Sequence, residues 1–428
     1  MSRRLILAWA FLALIAPRAH AQSPYPSDLV PTRTALSRLG LERHWMGAVP
    51  LTGPERVMGL SMGNGLVFAQ TNSGYLHAFD AESGALLWSS KLGQPAARAR
   101  PVSANSFAVF VTSLNKLYAL DRRTGNPLWE KQMSSLASSP TAANEEQMMV
   151  GQASGKVYGF GLKVKQGETT RISDRPIDVW NWQTGGPAET RPLLGDKFAI
   201  FGSDDGKVYV ALADEPTLLY RIATGGPIGD GFGAHGTRLL LVPSADRNVY
   251  GVDLFTAQVL WSYGSGAPVS QAPLVAGDEI FVLNDAGRLI SIDPADGQAR
   301  WVQVTTGGRL MGIGANRVYV QNDQHDLYYL DRGTGRVVTS PRESRERAGL
   351  NLRAYDLSIT NVENDRLYCG TTSGFIVCLR EEGRVSPTPL RDPNAPPFGF
   401  IPREGISLNP AIAPPADGAE RPLDEMPE

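Results

Sequence analysis

Short apolar runs recur along the chain, each followed by a glycine-bearing turn and a second run in which apolar and polar residues alternate. Leu66 to Gln70, Phe107 to Thr112, Phe198 to Gly202 and Leu239 to Pro243 are runs of the first kind. The turns read Asn72-Ser73-Gly74, Ala153-Ser154-Gly155, Asp204-Asp205-Gly206 and Asp285-Ala286-Gly287. Glycine there supplies the positive φ of a tight hairpin. Apolar runs this short, bounded by turn residues, predict β-strands rather than helices.

Aligned on one apolar position, the pattern runs Leu76, Leu117, Val157, Val208, Val249, Leu289, Leu327, Ile376, which makes eight units. Four residues on comes Asp80, Asp121, Asp253, Asp293 or Asp331, then Gly84, Gly125, Gly297 or Gly335. A further four-residue step reaches Trp88, Trp129, Trp261 and Trp301, or Tyr220 in a divergent unit. A period of roughly 40 residues with several short strands per unit is that of a propeller blade. The chain is thus expected to be all-β, an eight-bladed propeller of four-stranded antiparallel blades. Within a blade the two runs are strands B and C, the Asp-x-x-[Ser/Thr]-Gly turn leads to outer strand D, and a crossover leads to inner strand A of the next blade.

The eighth unit has its B and C runs (366–370 and 375–379) but no Trp strand after them. Leu41 to Gly47, with Trp45, is a Trp strand with no blade before it, so the N-terminal strand is expected to close the ring. A lead-in at 22–40 holds a short helix over Thr32 to Leu39. Unit three has Gly161 where Asp is expected and an insertion from Lys163 to Ile177, read as a long C–D loop. The propeller spans 41–380. Residues 381–428 are expected to be a disordered tail, because 11 of the 31 prolines fall after Val385 without a period.

Tyr118 to Trp129, Tyr-Ala-Leu-Asp-x-x-Thr-Gly-x-x-x-Trp, resembles the PQQ-type propeller repeat. The resemblance covers about residues 41 to 380. It implies that Trp45, Trp88, Trp129, Trp180, Trp261 and Trp301 dock between neighbouring blades, with Trp182, outside the register, as the exception. Two branches share the repeat: quinone-dependent dehydrogenases, and non-catalytic propellers such as the BamB lipoprotein of the outer-membrane barrel-assembly machine. The first holds a quinone and calcium beside an Asp base and a vicinal Cys-Cys pair. No local motif here assembles that set, and Cys369 and Cys378 are not vicinal. The BamB-like branch is therefore favoured and no cofactor is expected, PQQ with calcium belonging to the alternative of a quinoprotein oxidoreductase. A propeller binding a glycan or small ligand is a third reading.

Residues 1–21 have basic Arg3 and Arg4, an apolar run from Leu5 to Ala16 and small residues at Ala19 and Ala21, which reads as a cleavable export signal. Ser2-Arg3-Arg4 overlaps a twin-arginine signal, so the export route stays open. A periplasmic or secreted location follows. No Cys follows the cleavage site, so no lipid anchor is expected there, and no later run is long enough for a transmembrane span. The net charge of −2 gives no basic surface for nucleic acid. Cys369 and Cys378 flank Ser373-Gly374 symmetrically; a two-residue turn there would set them face to face, as a disulfide or as two small core residues.

Gly59-Leu60-Ser61-Met62-Gly63 matches the nucleophile-elbow pattern, but it lies where strand A of the first blade belongs, with no helix to follow. No catalytic residue or metal site is expected. Strands B and D run the same way, so B–C turns and D–A crossovers emerge on one face. That face carries Arg98, Arg100, Asp204, Asp205, Arg247, Asp285 and His325, either as plain turn residues or as a surface for a protein partner.

Overall fold

The computed structural model describes residues 26–93, 98–166 and 169–401. The proposed export signal lies outside them. There are eight four-stranded sheets, and in seven of them the strands follow the chain in order A-B-C-D. Blade 1 comprises Val57–Gly63, Leu66–Thr71, Tyr75–Asp80 and Leu86–Lys91. Strands B and C are buried along their length, whereas Leu86–Lys91 buries only Trp88. Strands packed on both faces read as continuous apolar runs, which is why B and C were visible first.

In blade 8, Leu357–Ser358, Leu367–Gly370 and Phe375–Glu381 are completed by Leu41–Ala48, paired from Leu41↔Glu381 to Ala48↔Phe375. The ring is closed by the chain start, as expected. The lead-in helix is Arg33–Ser37, with the Thr32 hydroxyl accepting from Ala35 N at 3.2 Å. Ala35, Leu36 and Leu39 join the core around Tyr355 and Leu379.

The Trp residues dock blade on blade. Indole Nε1 of Trp45, Trp88, Trp180, Trp261 and Trp301 donates to Ala81, Arg122, Ala213, Pro294 and Arg332 carbonyls in the next blade's C–D turn, at 2.8–3.1 Å. Trp129 packs with Phe110 and Phe160 in the seam between blades 2 and 3. Tyr220 takes the role in blade 4, its hydroxyl donating to the Leu254 carbonyl at 2.5 Å. The rings lie on the turn glycines. A Cβ at Gly84 would fall 2.5 Å from the Trp45 ring, and at Gly125 the same distance from Trp88, so the Gly-then-Trp spacing is a packing requirement across the blade seam. Trp182 is half-buried against the core of blades 3 and 4.

Three expectations are corrected. The unit-three insertion is a hairpin: Lys156–Gln166 and Thr169–Gln183 pair beyond the blade, with Lys163↔Ile172 and Lys165↔Thr170. Cys369 and Cys378 are free and buried. The hairpin between them has a three-residue loop, with Thr371 N donating to the Phe375 carbonyl and Gly374 at φ +97°, so Cys369 faces Val377 and Cys378 faces Tyr368. One residue of register puts the two sulfurs on opposite sides of the blade, in different cores. Burial pushes the Cys369 thiol up to about 12 and raises that of Cys378. Alkylation of native protein at mildly basic pH is therefore expected to add no label, and denaturation without reductant two; no label after denaturation would restore the disulfide.

The third correction concerns the tail. Residues 382–401 lie against the propeller, with Leu390 and Phe398 buried in blade cores. Proline-rich composition argued against an independent core, but this segment borrows cores already built. Residues 402–428 lie outside the described ones.

Candidate functional site

The D–A crossovers and B–C turns share what is here called the upper face. Hydrogen bonds link one blade to the next around it. Arg100 N donates to Gln70 Oε1 at 3.1 Å, Ser138 Oγ to the Ala188 carbonyl at 2.7 Å, and Arg191 N to the Asp230 carbonyl at 2.8 Å. Asp230 N then donates to Ser270 O at 2.6 Å, Gln271 Nε2 to Gly308 O at 2.8 Å and Thr360 Oγ1 to Leu310 O at 2.8 Å. The inner strands thus frame a central cavity of about 1390 Å³.

Of the seven residues singled out in the sequence, Arg98, Arg100, Asp204 and His325 line this cavity. The others are set apart from it. Asp205 accepts from Gly185 N at 3.0 Å, Lys207 N at 3.0 Å and the Tyr209 hydroxyl at 2.6 Å. Burial alone would raise its carboxyl, but the Tyr209 and backbone donors outweigh that and hold it below the ordinary range. Tyr209 is correspondingly pushed up to about 12 by burial and by Asp205. Asp246 repeats the arrangement with Gly225 and Tyr250 in the next blade. Such an Asp clamps its own crossover, and its chemistry is satisfied within the fold. Asp285 holds the blade 6 crossover through Ser270 Oγ at 2.7 Å. Arg247 sits exposed on the rim at φ 77°, its carbonyl accepting from Ser265 N at 2.8 Å.

Sequence reasoning missed the charged residues that point inward just past the crossovers: Glu189, Arg191, Asp230 and Arg309. The signal was present, since each follows the Gly-rich crossover stretch at the point where the chain enters an inner strand. Among the described residues, none of these four side chains, nor that of Arg98, makes a hydrogen bond or ion pair. Burial lowers the Arg191 guanidinium and raises the Asp230 carboxyl, the latter opposed by Arg309 and Arg98. Asp204 is raised by burial and by Glu189 and Asp205. The result is a collar of opposed charges close enough to feel one another yet not bonded.

Ser61 is not a nucleophile here: it lies within strand A of blade 1, and its hydroxyl accepts from Val102 N at 3.2 Å. No cluster of three metal-ligating side chains occurs among the described residues, and no helix among them is long and apolar enough to cross a membrane.

A family model described as outer membrane protein assembly factor BamB matches residues 31–173 and 181–390. The outer membrane protein assembly factor BamB of Moranella endobia is 23% identical over 302 residues, covering 65% of this chain and 76% of that protein. The protein of the same name from Shewanella oneidensis is 24% identical, covering 64% and 74%. Among solved structures, BamB from Moraxella catarrhalis superposes with a TM-score of 0.64 at 15% identity, over 80% of this chain and 98% of that one, which supports the fold.

Proposed function

The chain belongs to the outer membrane protein assembly factor BamB family, and from that premise we propose that it is an exported, non-enzymatic scaffold that binds a protein partner in outer-membrane protein assembly. The upper face is proposed as the binding surface, and the charged collar carries this reading. Several charged side chains elsewhere are paired within the fold: Arg300 with Asp293 at 2.8 Å, Arg380 with Glu42 at 2.8 Å, Arg366 with Asp365 at 3.1 Å. Of the collar charges only Arg191 is partly buried; Arg98, Glu189, Asp204, Asp230 and Arg309 are exposed at one mouth, where a partner can reach them. Arg98 and Arg309 offer forked donors suited to carboxylates or carbonyls of a docking chain. No quinone or calcium enters this reading.

The test is capture of an outer-membrane assembly protein from solubilised envelopes by the immobilised chain. Arg98→Glu combined with Asp204→Lys is expected to weaken capture tenfold or more with an unchanged melting curve, since exposed substitutions usually stay within about 0.5 kcal/mol. Asp205 is spared because its loss would free the Gly185 and Tyr209 donors. A second reading has one observation in its favour: outer strand Ala299–Val304 leaves Val302 and Val304 47% and 65% exposed, an edge to which a strand could add. Capture that survives the charge reversals but fails in Val302→Pro would move the site there.

A further inference from the structure

After strand C of blade 8, the chain crosses the lower face, where the A–B and C–D turns emerge. Leu390 N donates to the Glu363 carbonyl of blade 8 at 3.0 Å, and Gly277 N of blade 6 donates to the Leu390 carbonyl at 3.0 Å. Gly399 N then reaches Thr237 O of blade 5 at 2.8 Å, and Asp196 N of blade 4 reaches Phe398 O at 2.7 Å. In a ring of eight, blades 8 and 4 are opposite. The segment therefore passes from one side of the ring to the other, and Leu390, Arg391, Asp392 and Ala395 form part of the cavity wall.

Its hold is concentrated at two points. Leu390 is 8% exposed among Leu274, Ala276 and Ile313, and Phe398 is 4% exposed among Phe198, Leu240 and Leu254. Between them, residues 391–396 are mostly exposed and make no regular strand pairing. A segment fixed by Leu390, by Phe398 with the half-buried Ile401, by the Thr388–Asp365 bonds at its root and by isolated backbone bonds opens locally at lower free energy than strands paired on both sides. The blades underneath do not depend on it, since each already has its four strands.

We propose that residues 386–401 are a releasable lid on the lower mouth of the central channel, which makes the channel a one-ended pocket open at the charged collar until the lid lifts. The consequence is directional: a partner segment enters from the upper face only, and passage to the lower face requires Leu390 and Phe398 to leave their seats. This stands independently of which partner binds above.

A cysteine placed at Val275, on the blade 6 inner strand beside Gly277 and facing the cavity, reports access from below. The native thiols are silent, since both are buried with raised pKa. The Val275→Cys protein is treated with a maleimide held on a short tether to a globular carrier too large to enter the channel. With the lid intact labelling is slow; with Leu390→Ala and Phe398→Ala added it is expected to rise at least tenfold, while a small free maleimide labels both forms and the far-UV spectrum and cooperative melting of the propeller persist. Equal carrier rates in the two forms, fast or slow, would overturn the seal. Release is read separately by hydrogen exchange in the unmodified chain. The Leu390 and Gly399 amides are expected to exchange at least a hundredfold faster than amides of Leu66–Thr71; exchange at the blade-core rate would make the segment a fixed floor instead.

Discussion

A chain lacking residues 41–49 is expected not to form a cooperative fold at all, and Trp45→Ala alone to lose on the order of 3–5 kcal/mol. The strand Leu41–Ala48 is the whole of strand D in blade 8, paired from Leu41 to Ala48 with Phe375–Glu381. Its removal opens the ring in two ways. Phe375–Glu381 becomes a long unpaired edge, and blade 1 loses the Trp45 ring from its Gly84 turn, together with the indole bond to the Ala81 carbonyl at 2.9 Å. Trp45 also packs with Tyr368 at 6.0 Å between ring centroids, within a core shared by blades 8 and 1. Domains are stable by only about 5–15 kcal/mol, so one seam of this kind decides the outcome. Truncation after Pro389 is the control. It removes two apolar anchors but no blade strand, and it should leave a cooperative transition at a lower midpoint. Circular dichroism melts and urea titrations of both truncations make the comparison; a closure-strand deletion that melts like the control would refute closure by the chain start.

The blade repeat was legible because its determinants are local and recur. Asp121 shows it: Oδ1 accepts from Arg123 N at 3.0 Å and Thr124 N at 2.8 Å, fixing the C–D turn from within six residues of sequence. Closure was legible by counting, since Trp45 had no blade and blade 8 no Trp. The cysteine pair was misread for a definite reason. Thr371-Thr372-Ser373-Gly374 fits a two-residue or a three-residue loop equally well by composition, yet the choice shifts register by one and reverses every side chain. The lid was hidden because Leu390 and Phe398 are lone apolar residues among prolines. What seats them are pockets made by blades 4 to 8, which no local window contains. The collar fell between these cases. Arg98 and Asp204 stood on the predicted face, whereas Arg191 and Asp230 were absent from the list because charges that enter an inner strand look, in sequence, like breaks in the pattern.

Arg366→Met is expected to cost about 3–5 kcal/mol, the usual penalty for breaking a buried ion pair from one side. The Arg366 side chain is fully buried. Its Nη1 donates to Asp365 Oδ1 at 3.1 Å, and its Nη2 to Glu82 Oε1 at 3.2 Å and to the Val385 carbonyl at 2.9 Å. One guanidinium thus joins blade 8, the C–D turn of blade 1 and the root of the lid. Glu82 also meets His44 Nε2 of the closing strand at 2.8 Å. The two carboxylates respond differently to losing Arg366. Glu82 is 44% exposed and can return to water, so Glu82→Gln should cost less than about 1 kcal/mol. Asp365 is 4% exposed and would keep only the Thr388 N–H at 3.0 Å, leaving most of its charge uncompensated. Arg366→Met with Asp365→Leu should therefore recover a good part of the loss, because removing both charges abolishes the desolvation penalty that removing one exposes. Urea titrations of the single and double variants give the coupling. In Arg366→Met the Leu390 amide should also exchange faster, since the Val385 carbonyl keeps only the Arg380 guanidinium at 3.1 Å as an anchor for the segment that leads to it. A single variant as stable as the parent would mean that the guanidinium is a passenger in this seam and that apolar packing alone ties the last blade to the first.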